Sequence, residues 1–186
     1  MRVNTGIARG KNIETLAGSD VVRPTSQKAK EAIFSAIQFF IPGASMLDLY
    51  AGSGQMGIEA LSRGATHCVF VDQSRDAINI IKKNLKNTGL FAMASVAQGD
   101  AISYMERTNH LFDFIYADPP YHKDLAGEVL LRAGRLLNEN GLLAIETEKE
   151  VLLPKTMSRL SLRKQYTYGN TSIWLYEIRQ QEEETE

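Results

Sequence analysis

The fold of this chain is decided by the stretch Asp48-Leu49-Tyr50-Ala51-Gly52-Ser53-Gly54-Gln55-Met56-Gly57. An apolar run over Met46–Tyr50 leads into it, and an amphipathic segment over Gln55–Arg63 follows at once. The first two glycines let the backbone bend and approach a ligand, and the third permits close packing of the helix on the sheet. The stretch therefore predicts a strand, a glycine loop and a helix at the start of an open α/β sheet.

Short apolar strands alternate with amphipathic helices over most of the chain. The predicted strands are Met46–Tyr50, Cys68–Asp72, Met93–Gln98, Phe112–Asp118 and Leu142–Glu146. The predicted helices are Gln55–Arg63, Arg75–Leu85, Ala101–Glu106 and Leu125–Leu137. A repeated strand and helix unit implies a mainly parallel sheet with helices on both faces. Two β-rich segments, Arg159–Tyr168 and Thr171–Ile178, flank Gly169-Asn170 and predict a C-terminal antiparallel hairpin.

The two ends of the chain differ from this pattern. Residues 2–16 alternate loosely between turn residues and predict a short β-hairpin, and a helix over about residues 26–40 follows Arg23. We predict an N-terminal extension over residues 1–22, one α/β domain over residues 23–179 and a disordered acidic tail over residues 180–186.

The composition of the 186 residues, 44% hydrophobic and 23% charged, is typical of one soluble globular domain. The one cysteine, Cys68, lies in an apolar run and is expected in the core, which fits a reducing compartment. No apolar run approaches the roughly 18 residues of a membrane helix, and no signal-peptide region is present. We expect a cytoplasmic monomer without a membrane partner. The three histidines show no metal-ligand spacing, so no metal is predicted.

The charge is unevenly distributed along the chain. Its formal net value is −1, although four carboxylates belong to the C-terminal tail. Residues 1–30 carry six basic and two acidic side chains, a local balance of +4. Such a region could contact phosphates, with an ordinary solvated surface as the alternative. The predicted substrate contacts in this region are Arg9, Lys11 and Arg23.

Three aspartates at the ends of successive strands predict a cofactor. Asp72 lies 18 residues beyond Gly54, a spacing that suits ribose hydroxyls. Asp48 suits an ammonium group better than a pyrophosphate, which favours S-adenosylmethionine over a dinucleotide; bonding to the glycine-loop N–H groups is its alternative. Asp100 suits an adenine amino group, and a helix N-cap fits it equally. The predicted cofactor-binding residues are Asp48, Tyr50, Ala51, Gly52, Ser53, Gly54, Asp72, Gln73, Asp100 and Ala101.

The motif Asp118-Pro119-Pro120-Tyr121 closes the apolar run over Phe112–Ala117. Proline ends a strand because it has no N–H and restricts the preceding residue, and open α/β sheets bind ligands at such strand ends. A carboxylate, two carbonyls and an aromatic ring there suit a flat base with an exocyclic amine, although an ordinary turn is the alternative. We predict that Asp118, Pro119, Pro120 and Tyr121 are catalytic and that Tyr121 also stacks on the substrate.

Four motifs in this order resemble the bacterial 16S ribosomal RNA guanine-N2 methyltransferase family, over roughly residues 2–178. They are Arg23-Pro24-Thr25, Asp48–Gly54, Glu59-Ala60-Leu61-Ser62-Arg63-Gly64-Ala65 and Asp118-Pro119-Pro120-Tyr121. The resemblance implies a class I methyltransferase Rossmann-like fold with a seven-stranded sheet and S-adenosylmethionine as donor. It implies a guanine N2 amine of 16S rRNA, of the position-966 type, as acceptor, in free RNA or in a small-subunit assembly intermediate. Asn4-Thr5 departs from the apolar-small pair that the family has at this place.

Two other functions fit parts of the sequence. A methyltransferase acting on DNA adenine N6 or on protein glutamine N5 would share the Pro-Pro-Tyr corner. A sequence-specific DNA enzyme usually has an added recognition domain, and only about 45 residues precede the first strand. A nicotinamide-dependent oxidoreductase would share the glycine loop, but it would leave the proline corner without a role.

Overall fold

The computed structural model describes residues 1–16, 24–121 and 124–179, and it contains one eight-stranded sheet. The five parallel strands are β1 (Ser45–Leu49), β2 (His67–Asp72), β3 (Ala94–Gln98), β4 (Phe112–Ala117) and β5 (Leu137–Glu148). The antiparallel strands are β6 (Thr156–Met157), β7 (Leu160–Tyr168) and β8 (Thr171–Ile178). The strand order is β3-β2-β1-β4-β5-β8-β7-β6. This confirms the predicted fold class and the C-terminal hairpin.

The five helices within the described residues cover both faces of the sheet. One face carries α1 (Pro24–Ala36), α2 (Gln55–Ser62) and α3 (Arg75–Thr88), and the other carries α4 (Ala101–Arg107) and α5 (Leu125–Ala133). Within α3, the predicted apolar positions are buried, and Ser74 caps the first turn by accepting from Ala77 N. None of these helices is long and apolar enough to cross a membrane.

Several boundaries differ from the prediction. Helix α1 begins at Pro24, because proline suits the first turn of a helix, and it ends at Ala36 rather than near residue 40. Helix α5 ends at Ala133, and after a short 3₁₀ turn β5 begins at Leu137, five residues before its predicted start. The two-residue strand β6 was not predicted because two residues carry no periodicity.

Residues 1–16 pack against the α2 and α3 side of the domain. They make one antiparallel bridge, Arg2 with Asn12, in place of a regular hairpin. Their apolar side chains Val3, Ala8 and Ile13 are buried in the same core as α2 and α3. The predicted boundary near residue 22 lies outside the described residues, but residues 1–16 are part of the domain core rather than an appended hairpin.

Glu59 of α2 holds this N-terminal segment in place. Its fully buried carboxylate accepts from Asn4 N at 2.9 Å and from Thr5 N at 3.1 Å. The same group pairs with Arg63 Nε at 2.8 Å and with Lys30 Nζ at 3.4 Å. Several donors therefore compensate the desolvation of one buried charge, as burial of a carboxylate requires.

The close approach of α2 to β2 provides a test of the fold. A Cβ atom at Gly57 would lie 2.3 Å from the Phe70 ring and 2.6 Å from Cys68 Sγ. Alanine inside a helix ordinarily stabilises it by about 0.5–1 kcal/mol relative to glycine. Here the overlap dominates, and we expect Gly57→Ala to lower the free energy of unfolding by about 1–3 kcal/mol in urea titrations.

Gly99 offers a matched control for this substitution. A Cβ atom there would meet nothing within 4 Å, and its φ is not in the left-handed region. Gly99→Ala should change the free energy of unfolding by less than about 0.5 kcal/mol. A Gly57→Ala protein as stable as the Gly99→Ala protein would contradict the packing argument.

Candidate active site

The candidate site lies where β1 separates the two halves of the parallel sheet. From β1 the chain continues to β2, which pairs with β1 on one side. Strand β4 pairs with β1 on the other side. Leu49 is in register with Ala117, so Tyr50 and Asp118 follow at neighbouring strand ends. This is the crevice in which open α/β sheets bind ligands. The structure therefore brings the glycine loop and the proline corner together, as predicted.

Two aspartates fix the glycine loop by accepting hydrogen bonds from its backbone N–H groups. Asp48 Oδ2 accepts from Gly57 N at 2.9 Å, and Asp72 Oδ2 accepts from Gly52 N at 2.9 Å. Tyr50 and Gly52 have positive φ values of 57° and 56°. Such a conformation is costly for tyrosine and persists only when its surroundings impose it. A Cβ atom on Gly52 would meet nothing within 4 Å, so this part of the loop faces open space.

Asp48 lies beneath the loop, with 1% of its surface exposed. Burial raises the pKa of its carboxyl group to about 8, whereas the bond from Gly57 N lowers it and the Asp72 carboxylate raises it further. The observed contact is the alternative considered for Asp48, a bond to a backbone N–H of the loop. Contact with a ligand ammonium group stays a prediction, and the structure gives Asp48 the role of positioning the loop.

Asp72 and Asp100 both hold backbone N–H groups. Asp72 Oδ1 accepts from Ser74 N at 2.8 Å, in addition to the Gly52 bond. Asp100 Oδ2 accepts from Ser103 N at 2.8 Å and so caps α4, the alternative considered for it. A carboxylate oxygen accepts two bonds, so Asp72 retains capacity, and Asp100 Oδ1 has no donor within the described residues. Their ribose and adenine contacts stay predictions.

Tyr50 provides an observation that favours a bound ligand. Its hydroxyl is buried and has no hydrogen-bond partner among the described residues. Burial raises its pKa to about 12, and the nearby Asp100 carboxylate adds to the shift. An unpaired buried hydroxyl is costly, and a polar ligand beside Asp100 would satisfy it. The residues present thus fit a nucleoside-containing cofactor.

The other predicted cofactor residues line the same edge. Ser53 is buried, and its carbonyl accepts from Asn84 Nδ2 at 2.9 Å. Gln73 is exposed and Ala101 is buried at the start of α4. Within the described ranges, no group of three or more His, Cys, Asp or Glu side chains is placed to hold a metal ion.

The proline corner presents an accessible carboxylate. Asp118 is exposed to solvent and accepts no hydrogen bond from any described residue. Desolvation by the surrounding protein raises its pKa well above the usual range, and the Glu146 and Asp48 carboxylates raise it further. Water in the open crevice moderates this shift, since the side chain is accessible. Tyr121 is 41% exposed, which leaves its ring available for stacking.

Glu146 belongs to the site and was not predicted. It is 8% exposed, and its Oε2 accepts from the Tyr116 hydroxyl at 2.7 Å. Burial raises its pKa, while the bond from Tyr116 lowers it. With Pro119, Pro120 and Tyr121 it lines a cavity of about 190 Å³. The sequence indicated Glu146 only as the end of a strand, and its place beside the corner depends on strand order.

Two of the predicted substrate contacts, Arg9 and Lys11, do not lie at the corner. The turn that contains Arg9 lies against the carboxyl end of α2, where Ile7 N donates to Ser62 O at 2.9 Å. Lys11 Nζ donates to Thr88 O at 2.9 Å, at the carboxyl end of α3. Both helices begin at the carboxyl edge of the sheet, α2 after the glycine loop and α3 after β2, so their carboxyl ends are remote from that edge. Arg23 lies outside the described residues.

The sheet order, the glycine loop and the proline corner define a class I methyltransferase. Two solved structures share this fold, each over 97% of this chain and 99% of its own length. The Escherichia coli protein yhhF has a TM-score of 0.83 and 27% identity. The Haemophilus influenzae methylase HI0767 has a TM-score of 0.81 and 30% identity. Residues 1–177 match the family described as "Conserved hypothetical protein 95", and the chain belongs to that family.

Relatives of known name connect this family to ribosomal RNA. The chain is 33% identical over 182 residues to ribosomal RNA small subunit methyltransferase D of Haemophilus influenzae, covering 95% of this chain and 93% of the relative. It is 40% identical over 188 residues to the YlbH protein of Bacillus subtilis, covering 96% of this chain and all of the relative. The predicted resemblance is confirmed.

The buried Asp48 carboxyl group predicts a pH dependence of stability. Its pKa is raised from 3.8 to about 8 by folding, so the folded state binds the proton more tightly than the unfolded chain. Its contribution to stability is therefore complete below about pH 4 and is lost as pH rises toward 8. Asp48→Asn cannot titrate, but its amide oxygen can still accept from Gly57 N.

We expect the free energy of unfolding of the wild type to fall relative to Asp48→Asn between about pH 5 and pH 8, by up to about 1.4 kcal/mol per pH unit. Urea unfolding of both proteins across this range measures the difference. Asp118 and Glu146 titrate in both proteins and cancel to first order. Parallel stability profiles would show that Asp48 is ionised in the folded protein throughout.

Proposed function

We propose that this protein transfers a methyl group from S-adenosylmethionine to the exocyclic N2 amine of a guanine in 16S rRNA. The observation that carries the proposal is the exposed Asp118 carboxylate, which accepts no hydrogen bond from the described residues and follows β4 between the glycine loop and the cavity lined by Tyr121. Support for the RNA substrate comes from ribosomal RNA small subunit methyltransferase D as a family relative.

The glycine-loop side of the crevice would hold the cofactor. S-adenosylmethionine, when bound, supplies an electrophilic methyl group on a cationic sulfonium. Gly52 offers open backbone, Asp72 offers free acceptor positions to ribose hydroxyls, and the Tyr50 hydroxyl and Asp100 Oδ1 lack partners within the described residues. The nearby carboxylates give this side a negative charge that suits a cation better than a pyrophosphate.

The corner would orient the acceptor amine. The lone pair of a guanine amine is delocalised into the ring, so the nitrogen is a weak nucleophile. Asp118 and the Pro119 carbonyl can each accept one of its N–H bonds, which draws the nitrogen toward tetrahedral geometry. The Asp118 carboxylate also stabilises the positive charge that develops on nitrogen, and it can take up the proton afterwards.

Tyr121 would hold the base itself. The residue is 41% exposed and lines the cavity. Stacking of a base on such a ring contributes about 1–3 kcal/mol in single-stranded recognition. An unstacked guanine in an RNA loop can reach this position, because protein recognition of RNA targets splayed bases.

The competing functions explain less of the molecule. A nicotinamide-dependent enzyme would leave Asp118 and the proline corner unused, and the family relatives carry methyltransferase names. A DNA adenine or protein glutamine methyltransferase would share the corner, but the named relative acts on ribosomal RNA. We propose a cytoplasmic monomer that meets its rRNA free or within a small-subunit assembly intermediate.

Replacing Asp118 tests the proposed chemistry. Asp118→Ala removes the acceptor and the charge at the amine but none of the proposed cofactor contacts. We expect S-adenosylmethionine affinity by calorimetry within a few-fold of wild type, and single-turnover methyl transfer to an rRNA fragment slower by about 100-fold or more. Asp118→Asn should be milder because its amide oxygen still accepts one N–H bond.

Two outcomes would contradict this proposal in different ways. Wild-type transfer rates in Asp118→Ala would make the corner a structural turn and remove the catalytic assignment. Tight binding of NAD without a calorimetric signal for S-adenosylmethionine would overturn the cofactor.

Arg9 and Lys11 can be separated experimentally because, of the two, only the Lys11 side chain has a hydrogen-bond partner among the described residues. We propose that exposed Arg9 contacts an RNA phosphate away from the target base. Arg9→Ala should then weaken rRNA binding and reduce the slope of log affinity against log salt by about one, without loss of stability. Lys11→Ala should lower the free energy of unfolding by about 0.5–1.5 kcal/mol, because it removes a hydrogen bond at the end of α3.

The control for Arg9 is Arg107→Ala, on the opposite face of the sheet, which should leave the salt slope unchanged. Filter-binding titrations at several salt concentrations give the slopes. Equal slopes of log affinity against log salt for wild type and Arg9→Ala would contradict the proposed contact between Arg9 and an RNA phosphate. Deletion of residues 1–16 is a poor test, because it would expose the core around Val3 and leave Glu59 without two of its donors.

A further inference from the structure

Glu146 and Asp118 are neighbours in the sheet. Ala117 is in register with Ile145, so Asp118, which follows β4, lies beside Glu146 of the adjacent parallel strand β5. Residues in register on parallel strands point to the same face. The Tyr116 side chain lies two residues before Asp118 on that face, and its hydroxyl reaches Glu146. The two carboxylates therefore face the same crevice side by side.

The Glu146 side chain is held in one orientation. It is 8% exposed, and the Tyr116 hydroxyl fixes its Oε2 at 2.7 Å. Tyr116 is itself 5% exposed, so the donor is held by the core. Within the described residues no other hydrogen bond reaches Glu146, so Oε1 retains acceptor capacity toward the cavity it lines with Tyr121. A buried carboxylate with an unused oxygen beside a base-sized cavity requires a donor.

Guanine carries two adjacent hydrogen-bond donor groups, which match the two adjacent carboxylates. Its N1–H and N2–H₂ groups lie next to each other on one edge, whereas adenine offers an amine beside an acceptor nitrogen. If Asp118 accepts from N2, a second carboxylate beside it meets N1. We propose that Glu146 accepts the guanine N1–H and thereby selects guanine as the base to be methylated. This inference rests on the proposed function and assigns the determinant of its base specificity.

The charges of the crevice agree with this assignment. Burial raises the pKa of Glu146, and Asp118 beside it is likewise shifted upward by desolvation and by the Glu146 charge. Two adjacent carboxylates are therefore unfavourable together when both are ionised. The N–H groups of guanine would stabilise both as anions, because hydrogen bonds to a charged acceptor are the strong ones. A base with an acceptor nitrogen at position 1 would instead place its lone pair against a lone pair of the Glu146 carboxylate, and the two would repel.

The test uses an rRNA fragment with 2-aminopurine at the target position. This base retains the N2 amine and replaces N1–H by an acceptor nitrogen, so it removes the donor that Glu146 is proposed to read. Single-turnover transfer to guanine and to 2-aminopurine is measured for the wild type and for Glu146→Gln. The ratio of the two rates is compared between the enzymes, so the intrinsic reactivities of the two amines cancel.

We expect the wild type to prefer guanine, and Glu146→Gln to reduce that preference at least about tenfold, since the glutamine amide can donate to N1. Tyr116→Phe keeps the carboxylate but removes its fixed donor, and we expect a smaller reduction, so this variant tests the proposal if Glu146→Gln does not fold. Glu150→Gln, an exposed position outside the cavity, should leave the ratio unchanged.

The outcomes separate the inference from the function on which it rests. A Glu146→Gln enzyme that is slower on both bases by the same factor would make Glu146 a structural residue and overturn the inference. Absence of wild-type transfer to guanine, with cofactor bound, would overturn the proposed function itself.

Discussion

The site depends on one constraint, the anchoring of the glycine loop by carboxylates that precede and follow it in the sheet. The bond from Gly57 N to Asp48 joins the end of β1 to the first turn of α2, and the bond from Gly52 N to Asp72 joins the loop to β2. Tyr50 and Gly52 lie in the left-handed region, which glycine adopts readily but which persists for tyrosine only when its surroundings impose it. The open backbone of Gly52 is thus available without reorganisation.

The crevice has two sides with different tasks, divided at the end of β4. On the β1 side, backbone groups and aspartates are arranged for a cofactor, and the Tyr50 hydroxyl is unpaired within the described residues. On the β5 side, Tyr121 and Glu146 line the cavity for the acceptor. Asp118 follows β4, between these two sides of the crevice. Desolvation, and then the Glu146 and Asp48 carboxylates, raise its pKa and so oppose its ionisation.

The sequence predicted the features that are local in the chain. The strand-to-helix glycine loop and the Pro-Pro strand end depend on neighbouring residues, so Gly52, Gly54 and Asp118 could be assigned to the crevice. Glu146 could not be found in this way, because its place beside Asp118 is a matter of strand register. The packing of residues 1–16 against α2 could not be predicted for a similar reason. Asn4 meets Glu59 across 55 positions of the chain, and no local pattern records that contact.

The attachment of the chain start to Glu59 has a consequence for the order of folding. Residues 4–5 are synthesised before α2, but the carboxylate that binds their N–H groups is in place only after α2 has been made and packed. A contact that closes so long a loop forms late in folding, because the entropic cost of closing the loop must be met before the contact stabilises the structure. Residues 4–5 are therefore among the last parts of this chain to dock.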